Sequence, residues 1–323
     1  MVGLWAAAAA PAAIADALAP FRSLDPALAA RLVELDPARV SATDVRDVLE
    51  RVPAPRIFLL QGSVAFISMA PFAQFLIAMG YPEARIADPA DGEVSRSSFG
   101  DSAALAGEVA GQYERDGMMP MLIGHSQGGM QVIRVLYELA GDFHPEIDVV
   151  DPVTGAALAR TTIVDPLTGR ERPVVGLKVA YAAALATGKT MRVLLGQWAM
   201  IPRLRRIPDT ADTFTGFTIP GDLIAGTFGA ADPYRPLGTA QVRNVMLPSS
   251  YSHIGLPLAA HLAADPVTRS WIERYDPANP AALPDALGVD TTNLLHAADI
   301  WASVKRTWCV EAQRALRAAQ DET

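Results

Sequence analysis

One pentapeptide in this chain has the residue types and spacing of a mounted nucleophile: Gly124-His125-Ser126-Gln127-Gly128, followed by a further Gly129. An apolar run, Pro120-Met121-Leu122-Ile123, ends immediately before it, and a helical pattern opens at Gln127. In that setting G-x-S-x-G places a serine on a sharp strand-to-helix turn, where flanking side chains would collide and glycine relieves the crowding. The turn holds the hydroxyl clear of the backbone, at the positive end of the following helix. Ser126 is expected to attack a carbonyl carbon. The alternative is a glycine-rich turn carrying a passive serine.

A serine hydroxyl is a poor nucleophile until a base takes its proton. The chain has five histidines: His125, His144, His253, His261 and His296. His125 lies inside the turn and should point away from Ser126. His144 follows the helix at its far end, and His261 and His296 fall within helical patterns. His253 stands alone in Ser249-Ser250-Tyr251-Ser252-His253-Ile254-Gly255-Leu256-Pro257, after the last expected strand, and is the expected general base. The acid that orients this imidazole should sit at a strand end between the serine and the histidine. Asp232 follows the apolar run at residues 223 to 228, which reads as the penultimate strand, so Asp232 is the expected acid. Asp222 precedes that run and falls at the wrong edge. Asp209 and Asp212 lie in the excursion before it.

Ser126, Asp232 and His253, in that order, resemble the catalytic triad of the α/β-hydrolase superfamily, and Gly124 to Gly129 are similar to the elbow of bacterial lipases and esterases. The resemblance spans residues 55 to 275. It implies a mostly parallel sheet with helices on both faces, and hydrolysis of carboxylic esters through an acyl-enzyme; the apolar residues of 187 to 220 add the expectation of apolar acyl groups. It also implies an oxyanion hole made by the backbone amides of Ser63 and Gln127, with no metal or organic cofactor. Where many members carry His-Gly before that hole, this chain has Gln61-Gly62-Ser63. Thioester or amide hydrolysis, or acyl transfer to an alcohol, would use the same three residues. A binding module that keeps the fold without the chemistry is the alternative of another class. An aspartate-nucleophile reaction is disfavoured because serine occupies the elbow.

These residues need a frame of alternating strands and helices. Short apolar runs at 56 to 60, 84 to 87, 120 to 123, 174 to 185, 223 to 228 and 242 to 247 read as buried strands. Helical periods cover 67 to 79, 101 to 115, 127 to 140 and 256 to 275, the last interrupted at Asp265-Pro266, and a final helix runs from 293 to 319. Alternation of this kind implies a parallel sheet covered on both faces. Between 146 and 173, Asp151-Pro-Val-Thr-Gly155 is echoed by Asp165-Pro-Leu-Thr-Gly169, two turn sequences that bracket a small antiparallel meander at the end opposite the nucleophile. Residues 187 to 220 leave the catalytic edge as a candidate cap, with Trp198 and Met200 as candidate acyl contacts. Residues 1 to 54 form a helical arm, 55 to 275 the core, and 276 to 323 a Pro-rich linker and helix.

Composition sets the outer limits. In 323 residues, 50% are hydrophobic and 19% charged, enough for a sizeable core and too apolar for wholesale disorder. A net charge of −8 speaks against nucleic acid, which is held by clustered Lys and Arg. The expected partner is instead a small-molecule ester. A single cysteine, Cys309, excludes an internal disulfide and a thiolate metal cluster. The apolar start at residues 1 to 13 lacks a preceding Lys or Arg and is too short to span a bilayer. A cytoplasmic, membrane-free protein is expected, although cysteine content alone does not set the compartment.

Overall fold

The computed structural model describes residues 16–63, 67–188, 197–226, 232–280 and 289–321. The apolar start at 1 to 13 therefore lies outside the described residues. Nine strands occur among the described residues: β1 (Ile57–Leu60), β2 (Met121–His125), β3 (Thr162–Val164), β4 (Glu171–Pro173), β5 (Val179–Leu185), β6 (Arg206–Ile207), β7 (Ala211–Thr218), β8 (Arg235–Pro236) and β9 (Gln241–Met246). Five of them form one sheet in the order β1-β2-β5-β7-β9. Every neighbouring pair is parallel, and the register aligns their C-terminal ends: Leu60 opposite Gly124, His125 opposite Leu185, Leu185 opposite Phe217, and Thr218 opposite Met246.

Alternation of side chains divides the apolar residues between two faces. Ile57, Leu59, Ile123, Ala183 and Phe217 join one buried cluster, and Phe58, Leu60, Leu122, Ala184 and Phe214 join the other. The N-terminal arm holds α1 (Ala19–Arg22), α2 (Pro26–Glu34) and α3 (Ala42–Asp47); a reciprocal Ser41–Asp44 capping box starts the third. It packs on the first face with α4 (Ala70–Ala78). The second face carries α5 (Ser102–Asp116) and α6 (Gln127–Leu139). After β9 come α7 (Ala260–Ala264), α8 (Pro266–Glu273) and α9 (Leu294–Asp321), which return to the first face. The α/β class, the parallel sheet and its covering helices are as the sequence implied. No helix among the described residues is long and apolar enough to cross a membrane.

A small antiparallel pair stands where the meander was expected, but the middle strand is shorter than 156 to 164: Thr162–Val164 is strand, and Ala157 makes a single bridge to Val150. Gly155 and Gly169 close their turns onto the carbonyls of Asp151 and Asp165, and β3 pairs antiparallel with β4. Glu114 fastens it to α5 by accepting from Arg160 and from the N–H of Val164.

Two strand assignments change. Residues 84 to 87 are not a strand: Glu83–Arg85 is a 3-10 turn, and Arg56 donates to the carbonyls of Ala84 and Ala87 at 3.0 and 2.6 Å. The outer side of β1 is met instead by Arg96, whose N–H donates to Leu59 and whose carbonyl accepts from Gln61. The chain therefore passes from one side of β1 to β2 on the other.

The penultimate strand is β7, residues 211 to 218, rather than 223 to 228. Phe214 and Phe217 of β7 point to opposite clusters, which makes it a two-faced core strand between β5 and β9. Residues 223 to 226 are a turn, and 227 and 228 lie outside the described residues. The expected cap at 187 to 220 is corrected accordingly, because its last third is sheet.

Candidate active site

The elbow forms where the sequence puts it. β2 ends at His125, α6 starts at Gln127, and Ser126 between them has φ 53 and ψ −115. That backbone region costs an L residue about 1–3 kcal/mol and persists only when its surroundings over-determine it. Here the N–H of Ser126 donates to Leu185 at 2.8 Å, and the Thr187 hydroxyl donates to the carbonyl of Ser126 at 3.0 Å. Both partners come from the end of β5, so the neighbouring strand holds the turn. Gly128 must be glycine: a Cβ there would run into the backbone carbonyl of Leu60.

His253 is the histidine that reaches Ser126. It sits in a 3-10 turn, His253–Gly255, beyond the end of β9, and its Nε2 accepts from the Ser126 hydroxyl at 3.0 Å. Its Nδ1–H donates to Oδ2 of Asp222 at 2.6 Å, and both side chains are almost fully buried. Asp222 follows β7 by four residues, so it arrives at the same edge as Ser126. Burial alone would raise its carboxyl, yet its value is lowered. The bond to His253 and the N–H groups of Ala225 and Ile224 outweigh the desolvation.

Asp232, the acid expected from sequence, is elsewhere. It accepts from Arg205 Nε at 3.2 Å, and Arg205 also donates to the carbonyl of Thr187 at 2.9 Å while lying over the Tyr234 ring. That group props the segment after β5 and does not face His253. The error traces to the strand: once β7 occupies 211 to 218, the residue just past its end is Asp222. A signal for it existed in Thr213, Phe214, Thr215, Phe217 and Thr218, a run of β-branched and aromatic residues.

The other expected residues are placed as follows. Gln127 is the first residue of α6, so its N–H belongs to the turn that has no intrahelical acceptor. Ser63 ends the described part of the loop after β1, and residues 64 to 66 lie outside it. This loop abuts Ser126: a Cβ on Gly62 would come 3.5 Å from its Cβ. Gln61 is fastened by its N–H to Arg96 and by Oε1, which accepts from Ser95 at 3.1 Å, so the glutamine ties the loop to residues 95 and 96. Trp198 is 60% exposed in the turn Trp198–Met200. Met200 is buried in the apolar cluster that Leu204 and Ile207 share with α6. Residues 191 to 195 of the expected cap lie outside the described residues.

The remaining histidines have other partners. His144 pairs with Glu138, His261 with the carbonyl of Asp290 and His296 with that of Leu256. His125 does not bond Ser126, as expected, but its Nε2–H donates to the carbonyl of His253 at 2.8 Å. Cys309 is buried, and burial pushes its thiol up to about 12. Among the described residues no group of three or more His, Cys, Asp and Glu side chains is arranged to hold a metal ion.

No family model, no curated protein and no solved structure matches the chain.

Proposed function

We propose that this chain is a serine hydrolase of the α/β-hydrolase type that cleaves carboxylic esters of apolar acyl groups through an acyl-enzyme. The observation that carries the reading is the continuous relay from Ser126 Oγ to His253 Nε2 and from His253 Nδ1 to Asp222, at 3.0 and 2.6 Å, mounted on a strained elbow.

As Ser126 Oγ attacks the ester carbonyl, its proton passes to Nε2 of His253. Asp222 holds the Nδ1–H tautomer and stabilises the imidazolium. The oxyanion forms beside the N-terminus of α6, within reach of the Gln127 and Ser63 amides, each such donor being worth roughly 2.7–4 kcal/mol in the transition state. His253 then protonates the leaving alcohol, and water activated by the same ring releases the acid.

Apolar substrates are favoured by what flanks the relay. Leu223 and Ile224 follow Asp222, Ile254 follows His253, and all three side chains are exposed. Exposed aliphatic groups beside a buried polar relay suit a ligand whose reacting carbonyl is polar and whose acyl chain is not.

A panel of p-nitrophenyl esters from acetate to palmitate, run on wild type and Ser126→Ala, tests the reading. Turnover that vanishes in Ser126→Ala, with labelling of wild type by a fluorophosphonate probe, supports it. Turnover that survives the substitution, or a wild type inert to both esters and probe, rejects it.

A further inference from the structure

We infer that His125 is a positioning residue for the general base: its Nε2–H holds the backbone carbonyl of His253, and through that bond sets the His253 imidazole between Ser126 and Asp222. The inference rests on reading these three residues as a working triad.

The base sits on a loop. His253–Gly255 is a single 3-10 turn, with no strand or long helix under it, and a mobile imidazole would lose the geometry that proton transfer needs. Side chains from the rest of the molecule grip this loop at its carbonyls. His296 Nε2 donates to Leu256 at 2.8 Å, and the Asn293 amide donates to Leu258. Both come from the start of α9 or the residue preceding it, and they act three and five residues beyond the base. His125 alone among these reaches the carbonyl of His253 itself, at 2.8 Å. Fixing that peptide oxygen fixes the direction of the adjoining Cα–Cβ bond, and so the origin of the imidazole. The two rings also touch, with centroids 5.0 Å apart and planes at 55°, which restricts rotation of the second ring.

His125 is built in on its other sides as well. A Cβ on Gly62 would come within 3.2 Å of His125 Nδ1, so glycine in the loop after β1 makes room for this ring. Because His125 is the residue before the nucleophile, one side chain joins the elbow, the loop carrying Ser63 and the base. The role needs a neutral ring that donates through Nε2. Burial pushes the His125 pKa down to about 3, aided by the neighbouring His253, so the ring stays neutral wherever a histidine base can work. A carboxylate at this position would repel the carbonyl oxygen, and an aliphatic residue would fill the space without holding it.

The test compares His125→Gln, whose amide nitrogen falls near the original Nε2, with His125→Asn, whose nitrogen falls short, and His125→Leu, which has no donor. Ester kcat and KM, thermal midpoint and the deshielded proton signal of the His253 Nδ1–H are measured for each, with His253→Ala used to assign that signal. His125→Leu should lose at least about tenfold in kcat, because a displaced catalytic group costs rate more than binding. Its KM should stay within about twofold, and His125→Gln should recover to within about threefold of wild-type kcat. Equal losses in the Gln and Leu variants, or full kcat in the Leu variant, overturn the inference. If the Leu variant does not fold, the Gln and Asn pair decides, with Gln active and Asn impaired. If wild type neither turns over esters nor takes the probe, the triad reading has failed, and the proton signal still judges the positioning. It should persist in wild type and His125→Gln and be lost in the donor-free or short-donor variant, and its survival there overturns the role of His125.

Discussion

Asp222 reaches His253 with one carboxylate oxygen and its own turn with the other: Oδ2 lies 2.6 Å from Nδ1, while Oδ1 accepts the N–H groups of Ile224 and Ala225 at 3.0 Å each. The carboxylate therefore cannot rotate without breaking two backbone bonds, and the imidazole meets a fixed acceptor. Asp222→Asn should keep the shape and favour the wrong tautomer, lowering ester kcat by roughly 10⁴-fold, the size of that effect in a serine triad. Asp232→Asn, which weakens the ion pair with Arg205, should leave kcat within about threefold, since a partly exposed ion pair contributes little. Steady-state kinetics on both variants check the exchange of roles. A severe loss at Asp232 with a mild one at Asp222 would reverse it.

Strain at the elbow should show as stability. Ser126 has φ 53, which glycine adopts without the steric cost that any Cβ incurs. Ser126→Gly is expected to abolish turnover and to be more stable than Ser126→Ala by about 1 kcal/mol. Urea denaturation of the two inactive variants makes the comparison without interference from activity. A glycine variant less stable than the alanine one would mean that the turn is not strained.

Two buried imidazoles should make the fold sensitive to acid. Burial lowers His125 to about 3 and His296 to about 4, both from an unfolded value near 6.5. A base whose folded value is depressed binds its proton only after unfolding, so each histidine withdraws stability as pH falls below 6.5. The loss continues until the folded value is reached. The expected slope is on the order of 1 kcal/mol per pH unit for each ring. Asp222, held low in the fold, adds to the loss in the same direction below the ordinary carboxylate range. Urea midpoints between pH 7 and 4.5 measure the slope, and His296→Gln should reduce it by one proton. An unchanged slope in that variant would show that His296 does not carry its share.

Met200 and Trp198 should separate cleanly. Met200 is buried, so Met200→Ala is expected to cost about 2–5 kcal/mol while the folded protein keeps its ester preference. Trp198 is exposed, and Trp198→Ala should leave the thermal midpoint nearly unchanged. Leu223→Ser and Ile254→Ser, beside the acid and the base, should lower kcat/KM for medium-chain esters several-fold more than for acetate. A flat ratio across chain lengths in both serine variants would remove these side chains from acyl recognition.

The elbow was legible in the residues because every constraint on it is local. A strand, a glycine on either side of a serine and a helix opening at Gln127 lie within ten residues, and the turn they form admits few other side chains. The end of the 127 to 140 helix at Gly141, and the break at Asp265-Pro266, were readable for the same reason: glycine and proline act on their own backbone. His253 could be selected because the other four histidines fell in the elbow, past the helix end or within helical patterns. The acid could not be. Asp222 and Asp232 both lie between Ser126 and His253, and the choice depended on whether 211 to 218 or 223 to 228 was the strand. The second run is the more apolar, but burial belongs to the run that β5 and β9 pair with on either side, and that pairing joins residues about thirty positions apart. The bond from His125 to His253 was beyond reach altogether, because its partners are separated by 128 positions and meet only when the sheet brings the ends of β2 and β9 to one edge. Local sterics wrote the turn at Ser126 into the chain; the side chains that meet its hydroxyl were decided by which strands lie side by side.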